Sequence, residues 1–293
     1  MPLSAFALVV LAGLIHASWN IAAKKAGGDA RFAFQSSVFI ALIWAPLGLW
    51  LGWSEVPNWG LREWAFIGVS GVLHVLYYVV LLRGYRRADL TVVYPLARGT
   101  GPLLSSMAAV LLLGERLSAL GLLGILGVVV GVFLIAGGPA LARRRHSAEQ
   151  QARAFKGIQY GVLTGLFIAC YTVVDGYAVK MLAMSPILLD YMGNFVRLVL
   201  LAPNTIRDRA EAARLWRLQW KYALLVAAIS PVSYVLVLYA MQQAPLSHVA
   251  PAREVSMLFA ALIGGHLLQE GDRLMRLLGA VLIACGVAAL ALG

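Results

Sequence analysis

Tyr94-Pro95-Leu96-Ala97-Arg98 opens an apolar stretch that closes on Leu113-Gly114-Glu115. Ala250-Pro251-Ala252-Arg253-Glu254 opens a second, which closes on Leu268-Gln269-Glu270. Each copy sets a proline and an arginine at the start of a membrane-length apolar run and a glutamate at its end. A charge in such a run is costly unless it faces protein, water or a ligand. What these charges face is therefore the first question the chain raises.

The two runs belong to a wider pattern. The 293 residues are 61% hydrophobic and 13% charged, against roughly 45–50% and about 25% in soluble domains. About 20 apolar residues cross a bilayer. Polar breaks then place ten spans at 3–23, 33–52, 64–85, 89–113, 118–137, 157–181, 186–206, 220–241, 245–268 and 273–292. The expected fold class is all-α integral membrane. A net charge of +11 would suggest nucleic acid as the partner of a soluble chain. Here Lys and Arg flank the spans, so they read as orientation in a lipid bilayer, with no nucleic acid. Cys170 and Cys285 lie inside apolar runs and read as small packing residues, without metal-ligand spacing. The first span has no basic leader and no cleavage site before its polar end, and reads as a retained helix.

The two halves repeat. At an offset of 155, Arg98 meets Arg253, Glu115 meets Glu270, and Gly131 meets Gly286. One residue out of that register, Leu90 and Pro95 meet Leu246 and Pro251. The predicted domains are a five-span repeat over 1–137, a basic linker over 138–156 and a second five-span repeat over 157–293. An odd number of spans per repeat inverts the second copy. Loop charge agrees: the loops after spans 1, 3, 5, 7 and 9 hold 18 Lys and Arg, and those after spans 2, 4, 6 and 8 hold 3. The remaining three are Arg98, Arg197 and Arg253. Basic loops stay cytoplasmic, which predicts both termini on the non-cytoplasmic side.

Polar and aromatic residues recur one turn apart on several spans. His16, Trp19 and Asn20 share a face of span 1, and His74, Tyr77 and Tyr78 share one of span 3. Tyr171 and Asp175 do the same in span 6, Tyr191 and Asn194 lie in span 7, and Ser230 and Tyr234 in span 8. Singly, each is an ordinary interhelical hydrogen bond; as a set they suggest a shared cavity. The buried charges admit an internal ion pair, Asp175 with Arg253, or a ligand-facing role. Pro95 and Pro251 each free a backbone carbonyl one turn upstream, as at a broken helix, or mark a plain helix start. Glu115 and Glu270 read as caps at span ends rather than proton carriers. Gly121, Gly124, Gly127 and Gly131, with Gly279 and Gly286, give spans 5 and 10 small-residue faces for close packing. No catalytic, nucleotide or cofactor motif occurs.

His16-Ala17-Ser18-Trp19-Asn20, Pro95-Leu96-Ala97-Arg98 to Gly114-Glu115, Ile168 through Asp175-Gly176, and Pro251 through Ser256 to Glu270 resemble the drug/metabolite transporter superfamily, in its ten-span EamA branch. The resemblance implies two inverted five-helix repeats around a central cavity that opens alternately to each side. It implies small organic solutes, often exported amino acids or other metabolites, with drugs, sugars or phosphorylated compounds handled by some relatives. Small multidrug-resistance relatives couple efflux to protons through a glutamate in their first helix; this chain has His16 and Asn20 there and no acid. Several relatives are assigned cytoplasmic termini, against the charge count here.

The expectation is a secondary transporter of the bacterial inner membrane, without cofactor or metal, monomeric or homodimeric, exporting small metabolites such as amino acids. A coupling proton or an exchange solute would be its second partner. Arg98 and Arg253 are expected to hold an anionic group, since guanidinium binds carboxylate or phosphate bidentately. Asp175 and Glu254 are expected to meet an amine or carry the proton. His16, Trp19, Asn20, His74, Tyr77, Tyr78, Tyr171, Asn194 and Tyr234 complete the predicted substrate site. The alternatives are a flippase for an amphipathic or lipid-linked molecule, a drug efflux protein and, further off, a membrane-embedded enzyme built on converging His16, His74 and His248.

Overall fold

A computed structural model describes residues 1–88, 90–135, 148–264 and 273–293. The chain is helical almost throughout. The first half runs α1 (Leu3–Lys25), α2 (Ala30–Ile43), α3 (Ala45–Glu55), a short 3-10 turn (Val56–Asn58), α4 (Leu61–Arg87), α5 (Leu90–Leu113) and α6 (Ala119–Ile135). The second runs α7 (Ala148–Met181), α8 (Pro186–Ile206), α9 (Arg209–Gln243), α10 (Leu246–Ala252), α11 (Val255–Gly264) and α12 (Arg273–Leu292). Among the described residues six helices are long and apolar enough to cross a membrane, seven if the bent pair Ala30–Ile43 and Ala45–Asn58 counts as one. Ala119–Ile135 and Leu277–Leu292 are apolar but shorter. The chain is a multi-pass membrane protein.

Two spans expected as single helices are broken. The run predicted over 33–52 bends by 66° at Trp44. Pro46 sits in the first turn of α3, has no N–H to continue the ladder, and its ring crowds the carbonyl four residues back. Trp44 anchors the corner by donating its Nε1–H to the Ala227 carbonyl at 3.0 Å. The run predicted over 245–268 breaks after the seven residues of α10. Pro251 leaves the Ser247 carbonyl without its helical partner, and Ser106 Oγ of α5 donates to that carbonyl at 3.0 Å. The freed group is thus taken up in packing. Pro95 does not break its helix, since α5 runs through both Pro95 and Pro102.

The core is shared between the halves. The broadest contacts join α6 with α12, α5 with α7, α1 with α9, and α4 with α7. The glycines of α6 and α12 face each other inside the chain. A Cβ on Gly131 would stand 2.6 Å from the Gly279 carbonyl oxygen, and one on Gly279 would stand 2.6 Å from that of Gly131. Gly124 and Gly286 repeat the arrangement one stage along the pair, at 2.8 and 2.7 Å. Only glycine permits this approach, which brings the backbones into van der Waals contact.

Both termini lie at one end of the bundle. The Met1 amino group donates to the Ala291 carbonyl at 2.9 Å, and Ser4 Oγ to Gln243 Oε1 at 2.6 Å. Glu115 is at the same end, just beyond α5. Its two oxygens accept from the Leu246 and Ser247 N–H groups at 2.8 and 2.9 Å, and Lys180 Nζ stands 3.3 Å away. A first-turn N–H has no partner within its own helix, and a carboxylate from the other half supplies it here. The start of α10 therefore adjoins the end of α5, so the two proline–arginine stretches enter from opposite ends. Glu270, the counterpart of Glu115, lies outside the described residues, as does most of the basic linker.

Candidate functional site

A cavity of about 170 Å³ occupies the middle of the bundle. Gly13 lets α1 lie close against the start of α11, where a Cβ would stand 2.5 Å from the Val255 side chain. This brings His16 and Trp19 to the cavity wall. Helix α4 adds His74 and Tyr77, α5 adds Arg98, α7 adds Tyr171, and α9 adds Tyr234. Arg253 enters from the turn between α10 and α11.

The charges are organised in two groups. Arg98 Nη2 pairs with Glu254 Oε2 at 2.8 Å and donates to Ser256 Oγ at 2.9 Å. Arg253 Nε stands 3.8 Å from Glu254 Oε1, and its Nη2 donates to the Tyr171 hydroxyl at 3.3 Å. Two guanidinium groups thus share one carboxylate, itself only 1% exposed, and the cluster keeps a net positive charge. Among the described residues the Nε of each arginine finds no hydrogen-bond partner. The second group is Arg197 with Asp190 on α8, at 2.8 Å. These two lie two helical turns apart on one face and both line the cavity. Asp190 and Ser256 were not among the expected site residues; the seven-residue spacing of Asp190 and Arg197 was the available signal.

Of the two roles open to the buried charges, the ion pair of Asp175 with Arg253 is not formed. Arg253 is held by its neighbour Glu254 and by Tyr171, whereas Asp175 accepts the Tyr234 hydroxyl and has His74 Nε2 at 3.9 Å. An aromatic wall continues from there, with His74 stacked on Tyr171 at 4.1 Å between ring centroids. His16 and Trp19 meet edge to face at 4.8 Å, and Trp19 Nε1 donates to Ser233 Oγ at 3.3 Å.

Three expected residues lie elsewhere. Asn20 is exposed and donates to the His16 carbonyl of its own helix at 2.9 Å. Tyr78 donates to the Asp29 carbonyl ahead of α2 at 2.9 Å. Asn194 is fully buried and donates to the Ser37 carbonyl at 2.9 Å, fastening α8 to α2. Each meets a backbone carbonyl, the common fate of polar groups between packed helices. His248 is buried beside Ser247 and does not join His16 and His74 at the cavity. Among the described residues no three His, Cys, Asp or Glu side chains are placed to hold a metal ion.

No curated protein matches the chain. Among solved structures 29 chains match. One, described simply as a crystal structure of a protein, superposes with a TM-score of 0.74 at 16% identity, covering 100% of this chain and 98% of its own. That likeness speaks for the fold alone. The profile of the EamA-like transporter family matches residues 3–137 and, separately, 155–292. Each half of the chain answers to the same family unit, and the chain belongs to the EamA-like transporter family.

Proposed function

We propose that this chain is a secondary transporter of the bacterial inner membrane that exports small metabolites such as amino acids by alternating access. The observation that carries the reading is the cavity of about 170 Å³ where two arginines share one buried carboxylate beside aromatic rings. An anionic group entering there competes with Glu254 for both guanidinium groups. The aromatic wall offers an apolar surface and a cation–π face for the rest of the solute. Pockets that take drug-sized ligands run to roughly 300–1,000 Å³, so the cavity volume favours a small metabolite over a drug.

The architecture proposed is ten spans in two inverted five-helix repeats, 1–137 and 157–293, joined by the linker 138–156. Exchanging the halves span for span maps the contacts of α4 with α7 onto those of α1 with α9, and those of α5 with α7 onto those of α1 with α11, which supports the two-fold relation. The 18-to-3 imbalance of loop charge supports a non-cytoplasmic face for the end that carries both termini. The glycine faces of α6 and α12 are consumed within the chain, which supports a monomer over a homodimer packed through them.

The test is flux into proteoliposomes, with labelled amino acids, phosphonates and cationic dyes offered with and without a pH gradient. Amino-acid flux that Arg253→Ala abolishes is expected. Flux of lipophilic cations alone, or full transport by Arg253→Ala, overturns the reading.

A further inference from the structure

Three carboxylates lie in or beside the cavity, and among the described residues one of them has no arginine or lysine at ion-pair distance. Glu254 pairs with Arg98, and Asp190 with Arg197, each at 2.8 Å. Asp175 has no accessible surface. It takes the Tyr234 hydroxyl as donor, and His74 is its one ion-pair neighbour among the described residues, with Nε2 at 3.9 Å.

The other ring nitrogen fixes the tautomer of His74. Nδ1 lies 2.9 Å from the Ser70 carbonyl, which can only accept, so Nδ1 carries a proton. A neutral His74 then turns a bare lone pair toward Asp175. An ionised Asp175 facing that lone pair would be a buried charge compensated by hydroxyl donation alone, with no arginine or lysine among the described residues at ion-pair distance. One proton relieves both groups. Two charges cost more in this setting than none, so the shared proton is assigned to the Asp175 carboxyl, where it meets the Nε2 lone pair.

The pair stands one layer behind the cavity. His74, Tyr171 and Tyr234 line the wall in front of Asp175. The surrounding charges are the matched Arg197 and Asp190 from α8, Arg98 from α5, and Arg253 with Glu254 from the turn after α10. Tyr77 of α4 and Tyr171 of α7 are neutral phenols. With its proton the pair is neutral; without it the pair carries one negative charge.

We propose that Asp175 and His74 form a one-proton site whose proton a cationic group of the entering solute expels. This rests on the amino-acid reading above. With the solute carboxylate held by Arg98 and Arg253, its ammonium comes against Tyr171 and Tyr234, where it favours the negative form of the pair. The O–H bond of Asp175 breaks, its electron pair stays on the carboxylate, and the proton crosses to Nε2 of His74, whose ring lines the cavity, and leaves from the imidazolium to a cavity water as hydronium. When the solute leaves, the proton returns. Solute and proton occupy the protein in turn, cross in opposite directions, and an inward proton gradient drives export.

The test has two arms, both on the purified full-length chain. Infrared difference spectra between acidic and alkaline pH are expected to show a carboxylic-acid band that titrates, is absent in Asp175→Asn, and moves in pH in His74→Gln. No titrating band that depends on Asp175 overturns the site. In weak buffer with a pH-sensitive dye, leucine is expected to release up to about one proton per chain, Asp175→Asn to release none, and Asp175→Glu to restore release. The hydroxy-acid analogue of leucine, which lacks the amine, is expected to release none. Equal release by both solutes, or release that persists in Asp175→Asn, overturns the coupling. Binding of neither solute overturns the amino-acid reading and the coupling with it, and leaves the infrared result to decide the proton site.

Discussion

Replacing Glu115 by Gln tests how the two halves are fastened. The carboxylate accepts the Leu246 and Ser247 N–H groups on separate oxygens, at 2.8 and 2.9 Å. Glutamine keeps one acceptor and turns an NH₂ group toward the other N–H. Ser247 is fully buried, so water cannot replace the lost partner. An unsatisfied buried donor costs about 1–3 kcal/mol; at a middle value of about 2 kcal/mol the local opening equilibrium rises roughly thirty-fold. Hydrogen exchange of a peptide covering 244–252, followed by mass spectrometry, reads this directly. Burial alone would raise the Glu115 carboxyl above its ordinary value of 4.5, but the N–H groups of Ser247 and Leu246 and the Lys180 charge outweigh it and hold it lower. A depressed native value stabilises above the unfolded one and is lost as pH falls through the native one. The difference between wild type and Glu115→Gln should therefore be full above about pH 4.5 and shrink below it. Exchange in the variant equal to wild type at neutral pH would refute the argument.

Other substitutions separate packing from charge. Gly131→Ala drives a methyl to 2.6 Å from the Gly279 carbonyl and should lower stability by about 1–3 kcal/mol in thermal unfolding. Gly68→Ala, where a Cβ meets nothing within 4 Å, should leave stability unchanged or raise it by up to about 1 kcal/mol. Glu254→Ala leaves Arg98 and Arg253 without their shared carboxylate and should destabilise by about 3–5 kcal/mol in the same assay. Asp29 accepts the Arg31 and Phe32 N–H groups at 2.9 and 3.0 Å, so Asp29→Ala should cost α2 about 1 kcal/mol, seen as faster exchange of its first turn.

The positions of the helices were legible because each span is a local property: some twenty predominantly apolar residues need no knowledge of the rest of the chain. The break at Trp44 was passed over: Pro46 marks it in the sequence, but hydropathy is continuous through 33–52, and the carbonyl that anchors the corner comes from α9. The site was legible in part. Spacing of three and four residues says that His16, Trp19 and Asn20 share a face, but not where along the helix the cavity ends, and Asn20 falls beyond it. Asn194 and Tyr78 carry the same chemistry as cavity residues, and only packing reveals that backbone carbonyls of α2 and its leading turn claim them. The choice of Glu254 over Asp175 as the partner of Arg253 also lay beyond pattern, because it turns on which way the chain folds after Pro251.

The cap on α10 carries a consequence for the order in which the protein is made. Seven residues are too few for a helix to persist alone in water, and the carboxylate that receives the first N–H groups of α10 belongs to a segment made more than a hundred residues earlier. The amino-terminal half leaves the ribosome first, so its acceptor is waiting when Leu246 arrives. Expressed as two separate polypeptides, the first half would have to be in the membrane before the second could settle, and reversing the timing would leave the later half searching for its template.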